Sequence, residues 1–115
     1  MQESSQEVGK RFIMSKSVKV ASLSDLPEGS SREVAVEGRI VALFHVEGRI
    51  HALDGICPHA GGPLGEGTLT QGVVTCPWHG WQFNVANGHH CLNGNICQQT
   101  FSVQIDGDDV LINIP

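Results

Sequence analysis

Tyrosine is absent from this 115-residue chain, and aromatic residues make up only 5% of it. Much of any core must therefore be Val, Ile, Leu and Ala. Lysine and arginine are absent after Arg49. All seven basic residues lie before residue 50, where seven acids balance them. Residues 50–115 carry Asp54, Glu66, Asp106, Asp108 and Asp109, so the whole formal charge of −5 falls in that part. Such a balance argues against nucleic acid as a partner and suits either a basic protein partner or a plain solubilising surface. No apolar run reaches 18 residues, which excludes a membrane-spanning helix. The start of the chain is polar, and its only apolar cluster, Phe12-Ile13-Met14, is too short for the core of a secretory signal. The expectation is a soluble cytoplasmic protein of one domain. No repeat, low-complexity segment or Ser-His-Asp arrangement is legible.

What is present is concentrated between Cys57 and His79. The stretch opens with Cys57-Pro58-His59 and closes with Cys76-Pro77-Trp78-His79, with Ala60 to Thr75 between the pairs. Each end offers one thiolate and one imidazole on a tight turn. Gly61, Gly62, Gly65, Gly67 and Gly80 permit close backbone approach, while Pro58, Pro63 and Pro77 limit loop freedom. Two thiolates and two imidazoles suit a tetrahedral zinc site. They also suit a [2Fe–2S] centre in which two His replace two Cys on one iron. Zinc fingers usually pair Cys with Cys and His with His, whereas each pair here is mixed. A mixed pair lets both loops clamp both metals, which favours the iron–sulfur reading.

The segment Cys57-Pro58-His59-Ala60-Gly61-Gly62-Pro63-Leu64 resembles the first cluster loop of the Rieske ferredoxins. Gly72-Val73-Val74-Thr75-Cys76-Pro77-Trp78-His79-Gly80-Trp81-Gln82-Phe83 resembles the second, with Gly88 matching a later glycine. The resemblance covers roughly residues 18–114. It implies one [2Fe–2S] cluster held by Cys57, His59, Cys76 and His79, with the thiolates on one iron and the imidazoles on the other. It also implies an all-β Rieske fold, a small antiparallel sandwich or barrel base with an inserted cluster-binding subdomain at about 56–97.

The chain pattern agrees with that architecture. Residues 1–16 read as a disordered tail and 17–115 as the domain. Val18–Ala21, Glu33–Val36, Arg39–Val46, Arg49–Leu53, Gly72–Thr75, Trp81–Val85, Thr100–Ile105 and Val110–Ile114 read as strands. Glu37-Gly38, Glu47-Gly48 and Asp106-Gly107-Asp108-Asp109 read as turns. Ser22 to Leu26 reads as one helical turn capped by Ser22 or Ser24. Ile40, Ala42, Phe44 and Val46 share one face of the longest strand. His45 and His51 are expected to be ordinary strand residues, and His89 and His90 to lie in a turn-rich stretch. Cys91 and Cys97 are left over as free thiols.

The departures from related proteins bear on potential. High-potential Rieske proteins carry an extra Cys in each loop, joined as a disulfide, where this chain has Gly62 and Trp78. They also carry a Ser and a Tyr, whose hydroxyls hydrogen-bond cluster and Cys sulfurs, where this chain has Trp81 and Phe83. A third loop covers the cluster in the family, often with proline, and Cys91–Cys97 should supply it without one. The resemblance implies a low-potential one-electron carrier. It would take electrons from a flavin-dependent reductase and deliver them to a terminal oxygenase. The oxygenase itself would need a mononuclear iron site and a longer chain, so an electron-transfer protein, monomeric and not an enzyme, is expected. A small subunit or regulatory module like that of nitrite reductases is the second reading, and a zinc-binding structural domain the third.

Overall fold

A computed structural model describes residues 16–58, 61–78 and 80–114. The expected tail up to residue 15, and the candidate ligands His59 and His79, lie outside the described residues. The described strands, numbered in chain order, form three antiparallel sheets. The base has one sheet of β1 (Lys16–Ser22), β10 (Asp109–Ile114) and β9 (Val103–Asp106), in the order β1-β10-β9. Its second sheet is β2 (Ser31–Val36), β3 (Arg39–Val46), β4 (Arg49–Asp54) and β8 (Thr100–Phe101), in chain order. The third sheet, of β5 (Thr68–Thr70), β6 (Val73–Thr75) and β7 (Gln82–Asn84), belongs to the inserted subdomain. Strand β1 opens at Lys16, paired with Ile114, one residue before the expected start of the domain.

Strand β3 joins the two halves. Ala42 and Phe44 are fully buried on the expected face, but Val41 and Leu43 on the other face are buried as completely. The reason is position: a core layer covers β3 on each face. One face packs with Val110, Ile112 and Ile114 of the base. The other packs with Cys57, Leu64, Val74, Cys76 and Phe83. The insert that carries Cys57 and Cys76 is thus seated on the back of a base strand.

Glu37-Gly38 and Glu47-Gly48 each place a residue at φ 52° followed by glycine at φ 80°. That is the backbone of a two-residue type I′ hairpin turn. Gln71-Gly72 repeats it between β5 and β6, a hairpin too short to stand out in the sequence. The expected strand Thr100–Ile105 breaks at Ser102. Thr100 and Phe101 pair with β4, and Val103–Asp106 pair with β10, so the chain changes sheets there. Leu23–Asp25 forms a single 3-10 turn, but Ser22 makes no side-chain cap. Asp108 holds it instead. Its carboxylate accepts from the Ser24 amide at 2.9 Å and hydroxyl at 3.0 Å, and its carbonyl accepts from the Leu23 amide at 2.7 Å.

Candidate metal centre

The two cluster loops have the same construction. In the first, the Cys57 amide donates to the Gly62 carbonyl at 2.9 Å and the Gly61 amide donates to the Cys57 carbonyl at 2.9 Å. In the second, the Cys76 amide donates to the Trp81 carbonyl at 2.7 Å. In each case the amide of the Cys is bonded to the carbonyl five residues on. Gly61 at φ 77° and Gly80 at φ 75° occupy the fourth place after each Cys, a left-handed backbone that favours glycine. Each loop grows from a paired stem. Ile56 bridges Pro63 below the first, and β6 pairs with β7 below the second. His59 stands two residues after its Cys and His79 three, so the frames match and the imidazole positions differ by one.

The loops face each other closely. Cys57 and Cys76 are each 1% exposed, and the two thiols interact directly. Burial pushes the Cys76 thiol up, the Trp78 amide beside its sulfur opposes that, and the neighbouring Cys57 raises it further. Two buried thiols in contact resist becoming two buried thiolates unless a cation supplies the compensating charge. The chemistry of this pair therefore fits a metal that binds thiolates. A Cβ added to Gly62 would lie 2.7 Å from the Cys76 sulfur and 3.0 Å from the Trp78 Cβ, so the first loop lies directly on the second.

Residues 16–108 match the family described as the Rieske [2Fe-2S] domain. The chain belongs to the Rieske family. It is 43% identical over 96 residues to the alkene monooxygenase ferredoxin component of Xanthobacter autotrophicus, covering 83% of this chain and 79% of that one. It is 35% identical over 99 residues to the naphthalene 1,2-dioxygenase ferredoxin component of Pseudomonas aeruginosa, covering 84% and 94%. A chain in the solved complex of reduced oxygenase and oxidized ferredoxin in carbazole 1,9a-dioxygenase superposes with a TM-score of 0.77 at 31% identity, covering 84% and 91%. The cofactor of a Rieske domain is one [2Fe–2S] cluster, and the zinc reading falls away.

Within this Rieske domain, Gly62 and Trp78 do stand against each other across the loops. Trp78, 51% exposed, leaves no room for a side chain at position 62. Phe83 is fully buried, with its ring centroid 6.4 Å from Trp81. The third loop is held without proline, by two residues whose roles the sequence did not reveal. Gln98, 7% exposed, donates its side-chain amide to the carbonyls of Asp54 at 2.8 Å and Ile56 at 2.5 Å, tying the far end of this loop to the stem of the first. His90 is buried beneath the loop. Both are polar residues in polar, aperiodic surroundings, with no pattern to mark them as buried. Cys91 and Cys97 are free and exposed. His45 and His51 lie on β3 and β4, with His45 beside Leu26 and Glu28 and the charge of Arg49 acting on His51.

Proposed function

We propose that this Rieske protein is a one-electron carrier whose cluster is bound by Cys57 and Cys76 on one iron and by His59 and His79 on the other. The observation that carries this reading is the pair of buried thiols meeting across two loops of one construction, each with a His two or three residues beyond its Cys. When bound, the cluster takes up and releases one electron at a time. The chain's own residues do the holding. The backbone bonds at Cys57 and Cys76 fix where the sulfurs sit. Leu64, Val74 and Phe83, each fully buried, exclude water behind them. Pro58, Pro77 and Trp78 are exposed on the loops, which supports a contact face at that end.

The proposed donor is a flavin-dependent reductase and the proposed acceptor a terminal oxygenase. Support comes from relatives named as ferredoxin components of monooxygenase and dioxygenase systems and from the oxygenase–ferredoxin complex cited above. A contact that breaks in every cycle should be small, below about 1,200 Å² in total. No helix among the described residues is long and apolar enough to cross a membrane, and the cytoplasm is the proposed compartment. The test is reconstitution with a flavin reductase and an oxygenase. The expected result is reduction of the cluster by the first and reoxidation coupled to substrate hydroxylation by the second. A cluster that the reductase reduces but no oxygenase reoxidises would contradict the acceptor. Replacing His59 or His79 with Cys should change the electron-spin signal of the reduced protein. An unchanged signal in both would falsify the ligand assignment.

A further inference from the structure

His90 is 8% exposed and lies where the third loop meets the second cluster loop. Its Nδ1 is approached by two backbone donors, the amides of Leu92 at 3.0 Å and Asn93 at 3.2 Å. A nitrogen that accepts two N–H bonds carries no proton, so the ring is the neutral Nε2–H tautomer. Nε2 is buried and has no hydrogen-bond partner among the described residues. The ring stands edge-on to Trp81, with centroids 4.5 Å apart at 88°, and to Phe83 at 5.3 Å and 82°. A buried N–H without an acceptor is costly, and contact with aromatic rings offsets only part of that. Asn in this place could cap the turn through its side-chain oxygen, but it would bring its own amide donors and leave the space against Trp81 unfilled. The imidazole does what Asn cannot: it caps the third loop and fills the space against Trp81, whose carbonyl holds the Cys76 amide at 2.7 Å.

We propose that His90 is a positioning residue of the metal centre, fastening the third loop to the second cluster loop. The backbone adds two further ties, the His90 amide to the Ile96 carbonyl at 2.9 Å and the Cys91 amide to the Gln82 carbonyl at 2.9 Å. Neither reaches the tip that carries Leu92 and Asn93, which is held by Nδ1 and by the Ile96 amide donating to the Asn93 carbonyl at 3.0 Å. Freeing that tip admits water to the side of Trp81 and the second loop. The reduced cluster is the more negative state, so water stabilises it and the potential rises.

His90→Phe keeps a ring and removes the acceptor, while His90→Asn keeps an acceptor and removes the ring. Hydrogen exchange of the holoprotein across residues 91–97 should quicken roughly tenfold in His90→Phe, the effect of losing about one net hydrogen bond, and stay slow in His90→Asn. The potential of His90→Phe should rise above that of the unmodified protein. Unchanged exchange and potential in His90→Phe overturn the proposal, as does fast exchange in His90→Asn with slow exchange in His90→Phe. If the variants do not fold, nitrogen-15 resonances of the unmodified protein decide. A protonated Nε2 with a bare Nδ1 on His90 is expected, and a proton on Nδ1 refutes the geometry. The exchange and tautomer results do not depend on which residues bind the cluster or on the redox partner. Failure here is therefore distinct from failure of the proposed function.

Discussion

A Cβ placed on Gly62 would lie 2.7 Å from the Cys76 sulfur, whereas one placed on Gly61 meets nothing within 4 Å. The two neighbours should therefore fail differently. Gly62→Ala pushes the two loops apart, an overpacking that costs about 1–3 kcal/mol and falls directly on the Cys76 sulfur. Gly61→Ala only forces a side chain into the left-handed backbone at φ 77°, which costs about 1–2 kcal/mol and leaves the loop contact intact. Under chelator challenge Gly62→Ala should lose its visible chromophore faster than Gly61→Ala, and equal rates would contradict the loop contact described. Phe83 belongs to the same scale. It is fully buried in the cluster-side core with Cys57 and Cys76, and it has no hydroxyl to offer the sulfurs. With Trp81 equally unable to offer a hydroxyl, and without a loop-bridging disulfide, the potential should lie near the bottom of the Rieske range of roughly −150 to +300 mV. Phe83→Tyr should raise it, since a donor favours the more negative reduced state. Protein-film voltammetry checks both points. A potential well above zero in the unmodified protein, or a fall on Phe83→Tyr, would be incompatible with this account.

Glu28 governs the hairpin that leads towards the first cluster loop. Its carboxylate accepts from the Glu47 amide at 2.6 Å and the Gly48 amide at 2.9 Å, clamping the β3–β4 turn, and His45 stands 3.5 Å away. The Gly48 and Glu47 amides hold its pKa below the ordinary 4.5. A carboxylate lowered on folding stabilises above its unfolded value, and that contribution is lost as pH falls through the folded value. Glu28→Gln should therefore be less stable at neutral pH, and its stability should fall less steeply below about pH 4.5. Parallel acid-unfolding profiles of the two proteins would show that the clamp contributes nothing. At this scale the sequence is legible where chemistry or turn geometry dictates it. Glu47-Gly48 announces the turn, and mixed Cys and His spacing announces the two loops. It is less legible where only tertiary position decides. The unbroken apolar run from Ile40 to Phe44 hints that both faces of β3 are covered, but it does not say by which layer. Nothing in Thr100–Ile105 says that the strand changes sheets at Ser102. His90 and Gln98 lie in polar loops whose burial comes from what folds over them.

Over the whole molecule, charge along the chain is not charge around the centre. Of the five acids after residue 50, Asp106, Asp108 and Asp109 lie at the β9–β10 end of the base. There Asp108 binds Ser24 and Asp109 pairs with Lys19 at 3.0 Å. Asp54 is engaged by the Ile56 amide at 3.0 Å. It keeps its charge in that bond, so Asp54 and Glu66, the latter exposed in the turn after the first loop, are the two acids nearest in sequence to the proposed ligands. Electron transfer to a basic partner should slow as salt rises, but modestly, and Asp54→Asn with Glu66→Gln should remove much of the dependence. A rate independent of salt in the unmodified protein would dispose of steering altogether. The central claim is a cluster bound by two thiolates and two imidazoles, and its most direct test is pulsed electron-spin resonance of the reduced protein labelled with nitrogen-15 histidine. The account predicts strong coupling to two histidine nitrogens, one lost in His59→Cys and the other in His79→Cys. A reduced cluster coupled to no histidine nitrogen would contradict it.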